Sequence, residues 1–259
     1  MLTQAVQLDV TGPVATITLS NPPLNPLTWA MRETLREIAE QLLSREDVRA
    51  VVLRSASDRA FSVGSDITSF PSDEEAGRAV SEHEHAAYAA LEALPQPVVA
   101  ALRGHVLGGG LELALTADLR IAEEGSTLGL PEVRIGVFAS GGGTQRLPAV
   151  IGAGRAAHLL LTGRSIDAAT ALDWGLVTQI VGPGEADRVA HELAEEIAAL
   201  PRHGVAASKR CLNEGLVHGR ERGHRVEIEE IAKVYASADA REGARAFLEK
   251  RPPVFTHAR

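Results

Sequence analysis

The sequence predicts an α/β fold with an appended helical segment, and three observations carry that reading. Short β-branched apolar runs such as Ala50-Val51-Val52-Leu53 alternate with stretches of helical periodicity in the first half of the chain. From about residue 153 onward the pattern turns mostly helical. Neither a low-complexity linker nor a strong repeat period breaks it. At 259 residues, 45% of them apolar, the chain suffices for one large domain or two small ones with a real core.

The elements follow in order. Val6, Leu8 and Val10 alternate with polar neighbours, Gly12-Pro13 breaks the run, and Val14 to Leu19 resumes it, so the start reads as two strands around a turn. Three prolines in Asn21-Pro22-Pro23-Leu24-Asn25-Pro26 remove donors and fix φ, which excludes regular structure there. Met31, Leu35, Ile38 and Leu42 then recur at helical steps on one face. The 50–53 run has the character of a strand buried on both sides. After a polar loop, Ser55 to Arg59, come Phe61-Ser62-Val63-Gly64-Ser65-Asp66 and a helix over about 74–94. Pro97 to Leu102 reads as another buried strand, followed by Gly108-Gly109-Gly110 and renewed helical patterning from Leu111. Asp118 to Ala122 and Thr127 to Gly129 read as short strands. The last helix is expected to start at Asp239, with Glu242 completing a capping-box pattern.

Composition excludes several classes. A net charge of −8 argues against a nucleic-acid binder, which would carry a basic face. The single cysteine, Cys211, excludes an intramolecular disulfide framework and is read as a packing residue in a helix. No apolar run approaches the ~20 residues that cross a bilayer, and the first residues lack a basic and an apolar signal region. The default compartment is a reducing cytoplasm.

Familiar motifs fail at named positions. No Gly-Lys-Ser/Thr follows the glycine clusters, so there is no P-loop. Gly152-Ala153-Gly154 lacks the third glycine of a dinucleotide fingerprint. Ser140-Gly141 is not a nucleophile elbow, because Phe138 stands where glycine is needed. His83-Glu84-His85 is not a zinc pattern and reads as a solvated helix face.

Two glycine-bearing turns and two glutamates remain. Small residues at Val63-Gly64-Ser65-Asp66 let a ligand lie against the backbone, so that a peptide N–H can point at it. Gly108-Gly109-Gly110 precedes a helix, whose first N–H groups lack partners and carry partial positive charge. Two such donors on one oxygen would make an oxyanion hole. Each turn taken alone reads first as a loop that needs φ > 0. Glu112 lies among Leu111, Leu113 and Ala114, where a carboxylate is costly unless paired or used. Its other reading is an acid placed well at a helix N-terminus. Glu132, after Pro131 and before an apolar run, is either functional or bridged to Arg134 or Arg146.

At these residues the sequence resembles the crotonase (enoyl-CoA hydratase/isomerase) superfamily, and most of all its enoyl-CoA hydratases. The matching blocks are Asn21 to Asn25, Phe61 to Asp66, Gly104 to Ala114, Pro131-Glu132, Gly142 to Leu147 and Ala246 to Arg251. The resemblance implies a spiral of stacked ββα units over residues 1–200. It implies a helical trimerisation segment over 201–259, giving a homotrimer or a dimer of trimers. It further implies an acyl-CoA thioester substrate, of the kind met in fatty acid metabolism, with no metal or organic cofactor. On this resemblance the amides of Val63 and Gly109 form the oxyanion hole, and Glu112 and Glu132 are the catalytic pair. Val63, Gly64, Ser65, Asp66, Gly109, Ser140 and Lys250 are then the substrate contacts.

The implied reaction is hydration of a 2-enoyl-CoA. It needs a base for water, a proton for Cα and stabilisation of an enolate-like oxygen. Glu132 is expected to exchange the proton at Cα and Glu112 to hold and activate the water. Two departures from the family pattern are Val63 with Ser65 around the first donor, and Ala139-Ser140 where the family often has Pro-Gly. Phe70, Tyr88, Leu113 and Phe138 are candidate acyl-pocket residues, and Lys250 or Arg251 candidate cations for the CoA phosphates. Asp66 and Asp118 are read as loop hydrogen-bonding groups. The alternatives are a double-bond isomerase, which needs one acid/base, and a non-catalytic acyl-CoA-binding partner subunit.

Overall fold

The structure is a computed structural model, and it describes residues 5–256. The chain opens with β1 (Val6–Thr11) and β2 (Val14–Leu19), a hairpin turned at Gly12-Pro13 and paired antiparallel. The proline segment leads to α1 (Trp29–Leu43), whose N-terminus is capped by the Thr28 hydroxyl. Met31, Leu35, Ile38 and Leu42 form its buried face, as their spacing predicts.

Three strand pairs then repeat one pattern. The first is β3 (Ala50–Ser55) and β4 (Ala60–Ser62), followed by α2 (Glu74–Glu92). The second is β5 (Val98–Leu102) and β6 (His105–Leu107), followed by the one-and-a-half-turn α3 (Gly109–Ala114). The third is β7 (Leu119–Glu123) and β8 (Thr127–Gly129), followed by a 3-10 turn at Glu132–Ile135. In each pair the first strand joins one sheet and the second joins another, so the chain spirals with each ββα unit stacked on the last.

Helices α4 (Gly143–Ile151) and α5 (Ala153–Thr162), strand β9 (Ser165–Asp167), helix α6 (Ala168–Asp173) and strand β10 (Gln179–Val181) close the spiral. The larger sheet has the order β1-β2-β3-β5-β7-β10 and the smaller β4-β6-β8-β9. The larger sheet is parallel from β2 onward, and its inner strands β2, β3, β5 and β7 are covered on both faces. Val51 and Leu53 face the main core with α1 and α2, while Ala50 and Val52 face α7 (Ala186–Ala199). That helix presents Ala186, Ala190, Ala194 and Ala198 to the sheet, a stripe of small side chains that lets it lie close.

The C-terminal part comprises α8 (Arg202–His218), α9 (Arg220–Tyr235) and α10 (Ala238–Glu249). Lys209 anchors α8 to the sheet through Asp118 (2.7 Å) and the carbonyl of Gln96 (3.0 Å). Half-buried Cys211 lies in the cleft between α8 and α9, with Gly215 and Gly223 at their close crossing. The expected cap at Asp239 is corrected: Ser237 caps α10 by accepting from the amide of Ala240, and Asp239 instead accepts from Thr256. Glu242 pairs with Arg251 and Arg245 rather than closing a capping box.

Candidate active site

The site forms where the first turns after β4, β6 and β8 meet α4. Gly108 takes φ 54°, ψ −133°, which ends β6 and starts α3 in a single residue. A side chain there would meet Oε1 of Glu132 at 3.0 Å. Gly110 lies against the backbone of Ser62, where an added Cβ would come within 2.5 Å of the carbonyl oxygen. That contact packs the N-terminus of α3 onto the Val63–Asp66 turn with no intervening side chain.

The first expected donor, the amide of Val63, is corrected by the backbone bonds. Val63 N–H donates to the carbonyl of Leu24 at 3.1 Å and is directed into the chain. Leu27 forms a parallel bridge at Ser65, taking the carbonyl of Gly64 (2.8 Å) and the amide of Asp66 (3.1 Å). In that geometry the flanking groups point at Leu27 and the N–H of Ser65 points the other way. Among the described residues no acceptor takes the amide of Ser65 or that of Gly109, the first residue of α3. The two amides are neighbours. A Cβ on Gly109 would lie 3.5 Å from the Ser65 nitrogen, and one on Gly64 would lie 2.9 Å from the Gly109 nitrogen. Gly64 has φ 94° and must stay bare to leave that amide open.

Glu112, in the first turn of α3, is 2% exposed. Its Oε1 accepts the amide of Gly143 at 2.8 Å. Burial, reinforced by the charge of Glu84, pushes its carboxyl up to about 8, against the pull of the Gly143 amide. Glu132 is pushed up to about 7, chiefly by burial and also by Glu84. The charge of Glu132 also raises Glu112, as a like charge nearby does. Salt bridging does not neutralise Glu132: Arg146 pairs with Glu92 (2.9 Å), and Arg134 donates to the carbonyl of Thr162 (3.2 Å). One oxygen of Glu132, Oε2, is buried without a partner among the described residues.

A third carboxylate belongs to this region, and the solvated reading of His83-Glu84-His85 is corrected at its centre. Glu84 is 4% exposed and pairs with Arg32 at 2.7 Å, while His85 is exposed and His83 stacks on Trp29. The signal was present in the sequence: Glu84, Ala87, Tyr88 and Leu91 share the buried stripe of α2 at helical spacing. Position 141 is where Glu84 and Glu112 converge, and an added Cβ there would lie 2.7 Å from each carboxylate.

The remaining expected residues divide. Asp66 caps the short turn after it by accepting from Thr68, and Asp118 accepts from the Val98 amide and Lys209. Ser140 is half-buried, and its carbonyl accepts from Ser81 (3.4 Å). Tyr88 and Leu113 are core residues, whereas Phe70 and Phe138 are exposed. Lys250 is exposed in the left-handed conformation that ends α10, and Arg251 is held by Glu242 and Glu249.

The profile of the enoyl-CoA hydratase/isomerase family matches residues 9–258. The chain belongs to that family. Among enoyl-CoA hydratase/isomerase relatives, the Bacillus subtilis protein YngF is 38% identical over 245 residues, covering 93% of this chain and 94% of its own. The short-chain-enoyl-CoA hydratase of Clostridium acetobutylicum is 33% identical, with 95% of each chain covered. An enoyl-CoA hydratase from Bacillus anthracis, solved by crystallography, superposes with a TM-score of 0.93 at 36% identity, covering 98% of this chain and all of that one. The spiral of ββα units with C-terminal helices is thus the crotonase fold of this enoyl-CoA hydratase/isomerase family. No helix among the described residues is long and apolar enough to cross a membrane.

Proposed function

We propose that the protein catalyses reversible syn hydration of a 2-enoyl-CoA thioester to a 3-hydroxyacyl-CoA. The observation that carries this reading is the coupled pair Glu112 and Glu132, pushed up to about 8 and about 7. Between those values the pair holds about one proton, so one member is an acid while the other is a base. Hydration uses both. Oxygen of water bonds to Cβ and its proton passes to one carboxylate, while the other carboxylic acid gives its proton to Cα. The π electrons pass through the thioester carbonyl as an enolate, and the pair ends with the same number of protons it began with. The pair titrates as a unit, so its one proton can sit on either carboxylate: Glu112 activates the water when the proton resides on Glu132, and Glu132 then gives that proton to Cα.

The enolate oxygen is received by the amides of Ser65 and Gly109, the adjacent pair without protein acceptors. Such donors stabilise charge that appears only in the transition state, and losing one typically costs on the order of 10²–10³ in rate. Gly64, Asp66 and Ser140 shape the walls. Exposed Phe70 and Phe138 are available to an acyl chain, and Lys250 to the CoA phosphates. Residues 201–259 serve association into trimers; Leu212, Leu216, Ile228 and Tyr235 are exposed there, an apolar surface that supports this reading. The names of the relatives, the short-chain-enoyl-CoA hydratase of Clostridium acetobutylicum among them, favour an acyl-CoA substrate.

The test is the loss of ultraviolet absorbance of the conjugated enoyl thioester, followed for crotonyl-CoA and a series of longer 2-enoyl-CoAs. Turnover to the 3-hydroxyacyl product supports the proposal. Binding without turnover would favour a partner subunit, and conversion of a 3-enoyl-CoA to a 2-enoyl-CoA without hydration would favour an isomerase.

A further inference from the structure

Beneath the two amides runs a buried chain of polar side chains, of which Glu84 also acts on the acid/base pair through its charge. Nη2 of Arg32, on α1, donates to the hydroxyl of Ser65 (2.7 Å) and to Oε1 of Glu84 (2.7 Å), on α2. Nη1 of Arg32 donates to the carbonyl of Leu27 (3.1 Å), the residue bridged to Ser65. The hydroxyl of Tyr88 lies 3.2 Å from the same Oε1 of Glu84 and 2.9 Å from the carbonyl of Gly109, with one proton to share between them. Arg32, Glu84 and Tyr88 are each at most 4% exposed.

This chain starts at Ser65 and ends at Gly109. We infer that Arg32, Glu84 and Tyr88 are positioning residues whose bonds fix the separation and aim of the Ser65 and Gly109 amides. The inference rests on the assignment of those two amides as the oxyanion hole. Stability alone is a poor account of the network. A buried ion pair gains little over an apolar replacement of similar volume. Here Nε of Arg32 is also a buried donor without a partner among the described residues, which costs stability rather than adding to it. Geometry gives the network a purpose. The Ser65 turn and the start of α3 lie in different ββα units, with no side chain at Gly64 or Gly109 to hold them in register, and the bonds from α1 and α2 supply that register.

Acetoacetyl-CoA is a suitable probe, because an oxyanion hole stabilises its enolate and the enolate absorbs in the near ultraviolet. Two variants separate geometry from folding. Tyr88→Phe removes one hydroxyl and cuts the link to Gly109. The double variant Arg32→Met/Glu84→Leu removes both charges together and leaves no unpaired ion; it also takes the Glu84 charge away from Glu112 and Glu132, so Tyr88→Phe, which keeps that charge, isolates the geometry. For each folded variant the enolate band of bound acetoacetyl-CoA should weaken, and kcat on crotonyl-CoA should fall about tenfold with KM within about twofold. That loss is smaller than the 10²–10³ of losing a donor outright. If both variants keep the wild-type band and kcat per folded molecule, the network is merely structural and the inference is overturned. If the wild-type protein binds the probe without an enolate band, the assignment of the hole itself fails, and the brace with it.

Discussion

Glu112 and Gly141 are in contact such that position 141 has room for hydrogen alone. A Cβ there would sit 2.7 Å from Oε2 of Glu112, and equally close to the carboxylate of Glu84. Neither carboxylate can swing away freely, because Gly143 holds the first and Arg32 the second. Gly141→Ala should therefore displace Glu112, one member of the acid/base pair, and cost about 1–3 kcal/mol through overpacking. Thermal unfolding combined with kcat measures both effects. An alanine variant with wild-type kcat would show that the carboxylates have slack.

The amide of Gly109 can be removed with little harm to its helix. Gly109 is the first residue of α3, where proline is tolerated because that N–H has no helical acceptor, and the preceding residue is glycine. Gly109→Pro should fold and lose on the order of 10²–10³ in kcat. Circular dichroism checks the fold and the enoyl absorbance checks the rate. A variant with near-native rate would remove this amide from the mechanism.

The rate should depend on pH as a narrow bell. Below about 7 the pair becomes doubly protonated and loses its base; above about 8 it is doubly ionised and loses its acid. The profile of kcat/KM for crotonyl-CoA should peak between those limbs. A plateau from about pH 5 to pH 9 would contradict the assignment.

Glu112 also ties stability to pH, and the sign follows from its raised value. Its carboxyl titrates about 8 in the folded protein against an ordinary 4.5, so between these values the folded state binds more protons than the unfolded state. Its contribution is fully present below 4.5 and is lost as pH rises through 8. Glu112→Gln keeps an oxygen for the Gly143 amide and removes the buried charge. Its Tm relative to wild type should rise more at about pH 9 than at about pH 5. An equal Tm difference at both would mean that Glu112 ionises without penalty.

The strands and helices were legible because their periods are strong: the buried positions Met31, Leu35, Ile38 and Leu42 of α1 and the apolar runs of β3 and β5 match the sequence reading. Glu112 and Glu132 were legible as acids in apolar surroundings. Glu84 was missed because its polar neighbours His83 and His85 conceal a position whose burial shows only at three- and four-residue spacing. The open amide was placed two residues early because backbone direction is set by pairing with Leu24 and Leu27, about forty residues upstream. No local pattern around Val63 carries that information. The α10 cap was assigned two residues late for a simpler reason, since Ser237 and Asp239 are both good capping residues.

Hydration of crotonyl-CoA by Glu112→Gln and Glu132→Gln, each compared with wild type in water enriched in oxygen-18, tests the two-carboxylate account most directly. Wild type should place the label on C3 of the product, and each variant should lose at least about 10²-fold in that incorporation. If either glutamine variant still labels C3 at the wild-type rate, a single acid/base suffices and the paired mechanism is wrong.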